Sequence, residues 1–250
     1  MSDQSKDPSK INRRAVLKLV GAGAASGVIP LAGAAAPDDM AGMHHPPAPT
    51  PAAGADEATP TYEFFNGDEA AFIETAVDTL IPADDVGPGA LELGVAIFID
   101  RQMNSGYGRG DRLYLQGPFM EGTPEQGYQL RMTPSELIRN GILDVNAYTK
   151  QKYQSTFDGL SPSDRVAVLT ALEKRAIELP TTVPTAIFFG LLYDLTVQGY
   201  FADPLYGGNK DKASWKMIGF PGIGAMYADK IEAFRNKQYV SEPVSIQDLL

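Results

Sequence analysis

Apolar residues recur at helical spacing over most of the chain beyond residue 61. Between Asn66 and Pro82 they fall at i, i+1, i+4, i+5, i+8 and i+9, which is typical of one face of an amphipathic helix. Proline cannot continue a helix, so this one is predicted to stop at Pro82. A second helix is predicted over Ala90–Met103. No stretch alternates with the period of two that a half-buried strand requires.

Capping signals predict the next two helices. A capping box at Thr133-x-x-Glu136 opens a third helix, which is predicted to run to about Phe157, with a break at Asn140-Gly141 left open. Ser161, followed by a proline, opens a fourth helix, and Pro180 is predicted to end it.

The later part of the chain completes a mainly α fold. Thr185–Tyr200 is apolar almost all round, so it is predicted to be the central buried helix. A last helix is predicted over Ala225–Asn236. Asn104–Arg131 contains six glycines and two prolines, and its aromatic residues favour an ordered loop packed on a surface. The fold class is a compact, irregular helical domain over residues 62–250 with long ordered loops, preceded by a signal peptide and a flexible linker.

Composition and charge narrow the function classes. The chain has 250 residues, 44% of them hydrophobic, and no cysteine, which excludes disulfides, cysteine-ligated iron–sulfur clusters and haem attached through a C-x-x-C-H motif. The formal charge is -10; residues 1–36 hold five basic and two acidic residues, so the remainder carries -13. A body this acidic disfavours nucleic acid and anionic lipid as partners.

Residues 1–34 have the layout of an export signal, in which basic residues precede a glycine- and alanine-rich run and a small-residue cleavage site. The pair Arg13-Arg14, in the stretch NRRAVLK, resembles the twin-arginine (Tat) signal, which carries folded proteins, often with a cofactor already inserted. An ordinary secretory signal is the alternative. Cleavage is predicted after Ala34, with Ala36 as the second option, and retention as an uncleaved anchor stays open.

Residues 35–61 are rich in proline and alanine and predict a flexible tether. Both histidines of the chain lie here, in Met43-His44-His45. Methionine and histidine suit copper, but no scaffold fixes their geometry, so a plain linker is favoured over a copper site. The folded body has no histidine and therefore lacks the commonest general base.

Four carboxylates are candidates for chemistry. Asp78, Asp84 and Asp85 flank the end of the first helix and suit acid–base catalysis or calcium binding. Aspartate in a turn before glycine is, however, favoured for hydrogen bonds to the backbone, and that structural role is the stronger one. Asp194 lies in the apolar helix, and if it is buried there it must be paired.

The most distinctive stretch contains DPLYGGN followed by WKMIGFPG, where proline and paired glycines build successive turns around the only tryptophan. Aromatic side chains on a fixed turn suit a protein interface, which is favoured over internal packing and over a ligand site. No nucleotide-binding glycine motif is present. The predicted interface residues are Tyr206, Gly207, Gly208, Asn209, Trp215 and Phe220.

Two long stretches resemble the gluconate 2-dehydrogenase subunit 3 family. They are EFFNGDEAAFIETAVDTLIPADDVGPGALELGVAIFID and FFGLLYDLTVQGYFADPLYGGNKDKASWKMIGFPG, and the resemblance covers roughly Tyr62–Gly222. The combination of DTLIPADD, DPxYGGN and WKxIGFPG carries it, and the Tat-like leader fits the family too.

The resemblance implies a small, non-catalytic subunit of a periplasmic dehydrogenase complex that is associated with the inner membrane through its partners. A flavoprotein of the glucose–methanol–choline oxidoreductase type would hold FAD and oxidise a sugar or sugar acid such as gluconate. A multihaem cytochrome c subunit, carrying haem c, would pass the electrons to the quinone pool. This chain would hold no cofactor; it would bind the flavoprotein and aid its maturation and its export by the Tat translocase.

Two other functions stay open. One is a stand-alone enzyme that uses Asp84, Asp85 or Asp194 as a base. The other is a stand-alone periplasmic ligand- or metal-binding protein that uses Met43-His44-His45.

Overall fold

The computed structural model of the chain describes residues 61–120, 122–123, 126–181 and 183–250. The predicted leader with Arg13 and Arg14, its cleavage sites, and the linker as far as residue 60 with Met43, His44 and His45 lie outside the described residues. The described ranges contain α1 Gly67–Leu80, α2 Val95–Asn104, α3 Pro134–Tyr153, α4 Pro162–Glu173, α5 Thr185–Phe201 and α6 Ala213–Ile218. They contain no strand, so the predicted mainly α class is confirmed.

The helices α3 and α4 begin where the capping signals predict, and α1 begins directly after Asn66, where its apolar pattern starts. Asn66 and Glu69 form a reciprocal capping box at α1, in which each side chain accepts a hydrogen bond from the other residue's amide. Thr133 and Glu136 do the same at α3. The Ser161 hydroxyl accepts from an amide in the first turn of α4. Caps of this kind each contribute about 1 kcal/mol to helix stability.

The helix α5 is central, because it packs against α2, α3 and α4. Phe188 and Leu192 are fully buried, whereas Ile187, Asp194 and Gln198 lie on one exposed stripe. The prediction of a central helix is confirmed, and the exposure of Asp194 means that it needs no buried partner. None of the helices in the described ranges is both long and apolar enough to cross a membrane.

The helix α3 runs without a break through Asn140-Gly141. Gly141 serves packing instead: a Cβ at this position would lie 2.1 Å from Cδ2 of Phe188 on α5. Since Phe188 is itself fully buried, its ring has little room to move aside. The glycine therefore allows α3 and α5 to approach closely.

Three helix boundaries differ from the predictions because residues adopt left-handed backbone conformations. The helix α3 ends at Tyr153 rather than about Phe157, since Gln154 has a φ of 60°. The helix α2 begins at Val95 rather than Ala90, since Gly94 has a φ of 75°. The helix α4 ends at Glu173, well before Pro180, because Arg175 has a φ of 53°.

The end of α4 is a Schellman motif. The amide of Arg175 donates to the carbonyl of Leu172 at 3.1 Å, and the amide of Ala176 donates to the carbonyl of Ala171 at 2.8 Å. Glycine usually holds the left-handed position of this motif. An arginine there gives no comparable signal in the sequence.

The prediction of a helix over Ala225–Asn236 is wrong. A 3-10 turn over Gly224–Tyr227 is followed by further turns. The amide of Lys230 donates to the carbonyl of Tyr227, three residues back, at 2.9 Å. Most side chains of this segment are exposed, so no buried face supplies the packing that a short helix needs.

We expect Gly141→Ala to lower the free energy of unfolding by about 1–3 kcal/mol, because overpacking a fixed core has roughly this cost. Gly190→Ala on α5 is the matched control, since no atom lies within 4 Å of its Cβ position. The control should be neutral or stabilising by up to about 1 kcal/mol. Urea unfolding followed by circular dichroism measures both variants. Equal effects of the two would contradict the packing role of Gly141.

Candidate functional site

The predicted interface residues follow α5 and continue through α6. A 3-10 turn over Pro204–Tyr206 begins the region, and Asp203 caps it: Oδ1 accepts a hydrogen bond from the Leu205 amide at 3.0 Å. Gly207 follows with a φ of 104°, which only glycine adopts readily. The chain therefore turns sharply between α5 and α6.

Backbone segments meet in this turn with no room for side chains. A Cβ at residue 208 would lie 2.1 Å from the carbonyl oxygen of Gly199 near the end of α5. A Cβ at residue 94 would lie 2.8 Å from the carbonyl oxygen of Gly207. The paired glycines thus seat the turn directly against α5 and the start of α2.

Asn209 is completely buried and joins the two helices that flank the turn. Its Nδ2 donates to the carbonyl of Ala202 at 2.9 Å, and its Oδ1 accepts from the amide of Ser214 at 2.9 Å and from the Ser214 hydroxyl at 2.7 Å. Its φ of 50° is left-handed, a conformation that asparagine visits more readily than most residues. The role of this side chain is to hold the turn together.

Trp215 is also an internal residue, with a side chain that is only 6% exposed. Its indole Nε1 donates to the carbonyl of Phe201 at 2.8 Å. Its ring packs edge-to-face against that of Phe220, with 5.2 Å between the centroids. Internal packing, rather than direct contact with a partner, is therefore the role of the tryptophan side chain. Among the predicted interface residues, Gly208 is buried and Gly207 is half-buried, while Tyr206 and Phe220 are exposed.

Five large apolar or aromatic side chains are exposed around this turn, and we call them the turn surface. Their exposed fractions range from 37% to 56%. Sequence reasoning identified two of the five and missed the others, although all five lie within or beside the DPLYGGN and WKMIGFPG motifs. The turn surface consists of Phe201, Leu205, Tyr206, Ile218 and Phe220.

The C-terminal segment ties both ends of the turn region together. The amide of Ile223 donates to the carbonyl of Val244, and the amide of Val244 donates to the carbonyl of Pro221, each at 3.0 Å. Two residues further on, the amide of Ile246 donates to Oδ2 of Asp203 at 2.7 Å. The start and the end of the turn region are thus both bonded to one short stretch of chain.

An ion pair adds to this attachment. Nζ of Lys212 lies 2.6 Å from Oδ2 of Asp248. The hydrogen bond from Lys212, followed by those from Ser245, lowers the pKa of the Asp248 carboxyl from 3.8 to about 2. Because the folded-state pKa is lowered, the contribution of the pair is present above the ordinary pKa and is lost as the pH falls toward about 2. The attachment is therefore intact at neutral pH.

The candidate catalytic carboxylates lie in ordinary surroundings. Oδ1 of Asp84 accepts hydrogen bonds from the amides of Val86 at 2.9 Å and Gly87 at 3.3 Å, so its predicted role in the turn is confirmed. Asp85 and Asp194 are exposed, and partial burial raises the pKa of the Asp194 carboxyl. Within the part of the chain that the structure describes, no three His, Cys, Asp or Glu side chains form a group that could hold a metal ion.

A buried carboxylate that sequence reasoning missed anchors the start of the domain. Asp100 on α2 is 1% exposed. Its two oxygens accept hydrogen bonds from the amides of Glu63, Phe64 and Phe65 at 2.8–3.0 Å. The only sequence signal is a single aspartate at the end of the apolar run VAIFI. This side chain therefore fixes the backbone that leads into α1.

A second contact at the same point comes from α3. Nε of Arg139 donates to Oε1 of the buried Glu69 at 2.8 Å. The guanidinium also lies over the ring of Phe64, 4.1 Å from its centroid. Together with Asp100, this contact holds the segment that precedes α1 against α2 and α3.

We expect Asn209→Ala to lower the free energy of unfolding by about 3 kcal/mol. The substitution leaves the carbonyl of Ala202 and the amide and hydroxyl of Ser214 without these hydrogen bonds. Asn236→Ala is the matched control: Asn236 also has a left-handed φ, of 58°, but is exposed. Both variants suffer the same backbone strain, so the difference between them in urea unfolding isolates the buried side-chain bonds. A difference near zero would show that Asn209 does not hold the turn.

Comparison with known proteins places this architecture in a family. Searches of curated proteins and of solved structures gave no significant match. A family model described as gluconate 2-dehydrogenase subunit 3 matches residues 67–222, which is more than half of the chain. The match begins at the first residue of α1 and ends just after the turn surface. The chain therefore belongs to the gluconate 2-dehydrogenase subunit 3 family.

Proposed function

We propose that this chain is the non-catalytic small subunit of a periplasmic, membrane-associated dehydrogenase that oxidises a sugar or a sugar acid such as gluconate. In this proposal it binds an FAD-containing flavoprotein subunit of the glucose–methanol–choline type and aids the maturation and export of that subunit. The observation that carries the proposal is the family match over residues 67–222, because the family is one of dehydrogenase subunits. A multihaem cytochrome c would be the third component.

The turn surface supports a binding role. Large apolar side chains seldom remain exposed as a group on a soluble protein unless they meet a partner. Here they stand on a turn that is fixed by Asn209, Trp215 and close backbone packing, so little conformational entropy is lost when a partner binds. Aromatic residues in such positions are the side chains that most often dominate binding energy.

The leader sequence supports the export role. A protein that carries FAD has to fold around the cofactor before it crosses the membrane by the Tat route. A twin-arginine signal on this chain would then serve the folded flavoprotein bound to it as well as the chain itself. Association with the inner membrane would follow from the partner subunits.

Affinity purification tests the proposed subunit role. We expect the full chain, with a tag inserted in its linker, to co-purify from native membranes with a flavin-containing subunit, covalent haem and sugar-dependent dye reduction. Membranes with the untagged chain are the control. Recovery of a monomer without flavin would reject the proposal, whereas an active complex would allow a panel of sugars and sugar acids to identify the substrate.

The export role is tested by Arg13→Lys combined with Arg14→Lys, which keeps the positive charge but removes the twin-arginine pair. We expect the chain to remain in the cytoplasm and the dehydrogenase activity of the membranes to fall to background, because the flavoprotein loses its export signal. Cell fractionation with immunoblotting and dye reduction measures both effects. Lys6→Arg combined with Lys10→Arg is the control. Normal export of the double-lysine variant would instead indicate an ordinary secretory signal.

A further inference from the structure

We propose that the turn surface docks on an acidic, apolar-centred patch of the flavoprotein subunit. This inference rests on the proposed function and adds the location and the chemistry of the contact. The observations behind it are the exposure of five apolar side chains in one region, the hydrogen bonds that hold that region and the basic residues around it.

The five side chains are brought together by bonds among the segments that carry them. Trp215 joins two of them, since its indole donates to the backbone of Phe201 and its ring packs on Phe220. Asp203, just before Leu205 and Tyr206, and Pro221, just after Phe220, both bond to the C-terminal stretch at 244–246. The turn surface is therefore one region of the molecule, although its members are up to 19 positions apart in sequence.

The charge of this part of the chain differs from that of the helical body before it. In residues 61–199 acidic residues outnumber basic ones by nearly two to one, but residues 200–220 contain three basic and two acidic residues. Lys210 and Lys216 are exposed, and Arg101 reaches the turn from α2, where its Nη1 lies 3.5 Å from the carbonyl oxygen of Leu205. An apolar centre with a basic rim on an acidic body complements a partner surface with an acidic rim.

The same features favour a protein over a membrane as the occupant. An anionic bilayer presents negative charge to a whole face of the chain, so the net charge of -10 opposes its binding, whereas an acidic rim on a protein meets only the residues around the turn. The local basic excess is small, and it is interrupted by Asp203 and Asp211, while Lys212 is paired with Asp248. A polar rim around an aromatic-rich centre is typical of a protein interface.

A rival surface exists on the long loop before α3. Tyr114 and Met120 are 81% and 76% exposed. The turn surface is favoured over this loop because a dense set of hydrogen bonds fixes its backbone. The two surfaces are compared directly with Tyr114→Ala in the loop and Tyr206→Ala in the turn surface.

The experiment uses the full chain, immobilised through a tag in the linker so that both the leader and the C-terminal segment remain unaltered. The probe is the flavin-containing subunit recovered by affinity purification, and its dissociation constant is measured by biolayer interferometry. We expect Tyr206→Ala to weaken binding about 30-fold, which corresponds to about 2 kcal/mol. Leu143→Ala, at a position that is 60% exposed on α3, is the control and should change little.

Charge complementarity is tested with Lys216→Glu. We expect this variant to weaken binding about fivefold at ~0.1 M salt, and the difference from wild type to disappear toward ~1 M salt, where the Debye length falls to about 3 Å. Lys150→Glu on α3 makes the same charge change at another exposed position and is the control. Tyr206→Ala should keep its deficit at both salt concentrations, because the contact it removes is apolar.

The outcomes separate this inference from the function on which it rests. If the wild-type chain binds no flavin-containing subunit, both are overturned. If it binds, but Tyr206→Ala and Lys216→Glu match their controls, or Tyr114→Ala is the damaging change, only the turn surface is overturned. Cosedimentation of the wild-type chain with vesicles of equal phosphatidylglycerol and phosphatidylcholine, lost in Lys216→Glu, would assign the surface to the membrane instead. Circular dichroism establishes that each variant is folded.

Discussion

The close approach of backbone to backbone at Gly199 and Gly208 is the constraint on which the rest of the turn depends. The carbonyl oxygen of Gly199 lies 2.1 Å from the place that a Cβ of residue 208 would occupy, so the two segments touch only because residue 208 carries no side chain. Once they touch, Asn209 is fully buried, and its amide must find partners on both flanking helices. The indole of Trp215 then closes the same end of α5.

This constraint divides the motif residues into two groups with different roles. Gly208, Asn209 and Trp215 are buried and hold the turn, so their contacts are made inside the protein. The side chains that remain on the outside, such as Tyr206 and Phe220, are left exposed as a consequence of that packing. The motif, which the sequence predicts to be one interface, thus consists of a buried support and a smaller exposed surface on top of it. Mutations of the buried residues should lower stability, whereas mutations of the exposed residues should weaken binding.

The features that were predictable from the sequence are those that local chemistry determines. The caps at Thr133 and Ser161 and the apolar run of α5 are readable from the sequence because capping hydrogen bonds and periodicity act within a few residues. The burial of Trp215 and the packing reason for Gly141 were not readable, because each depends on a neighbour from another element: Phe201 for the first and Phe188 for the second. The failed helix over 225–236 has helical propensity but no buried face, which periodicity alone does not reveal.

The rigidity of the turn also bears on which form of a partner this chain can select. A preformed surface binds most favourably a partner that already presents a complementary shape, since neither side then loses much conformational entropy on binding. A partner that is extended or partly folded has to lose that entropy at the moment of contact and so binds more weakly for the same contacts. An export signal that accompanies a flavoprotein with its cofactor inserted is served by this preference. Under the proposed function, the fixed turn would therefore favour the export of flavoprotein that has already folded.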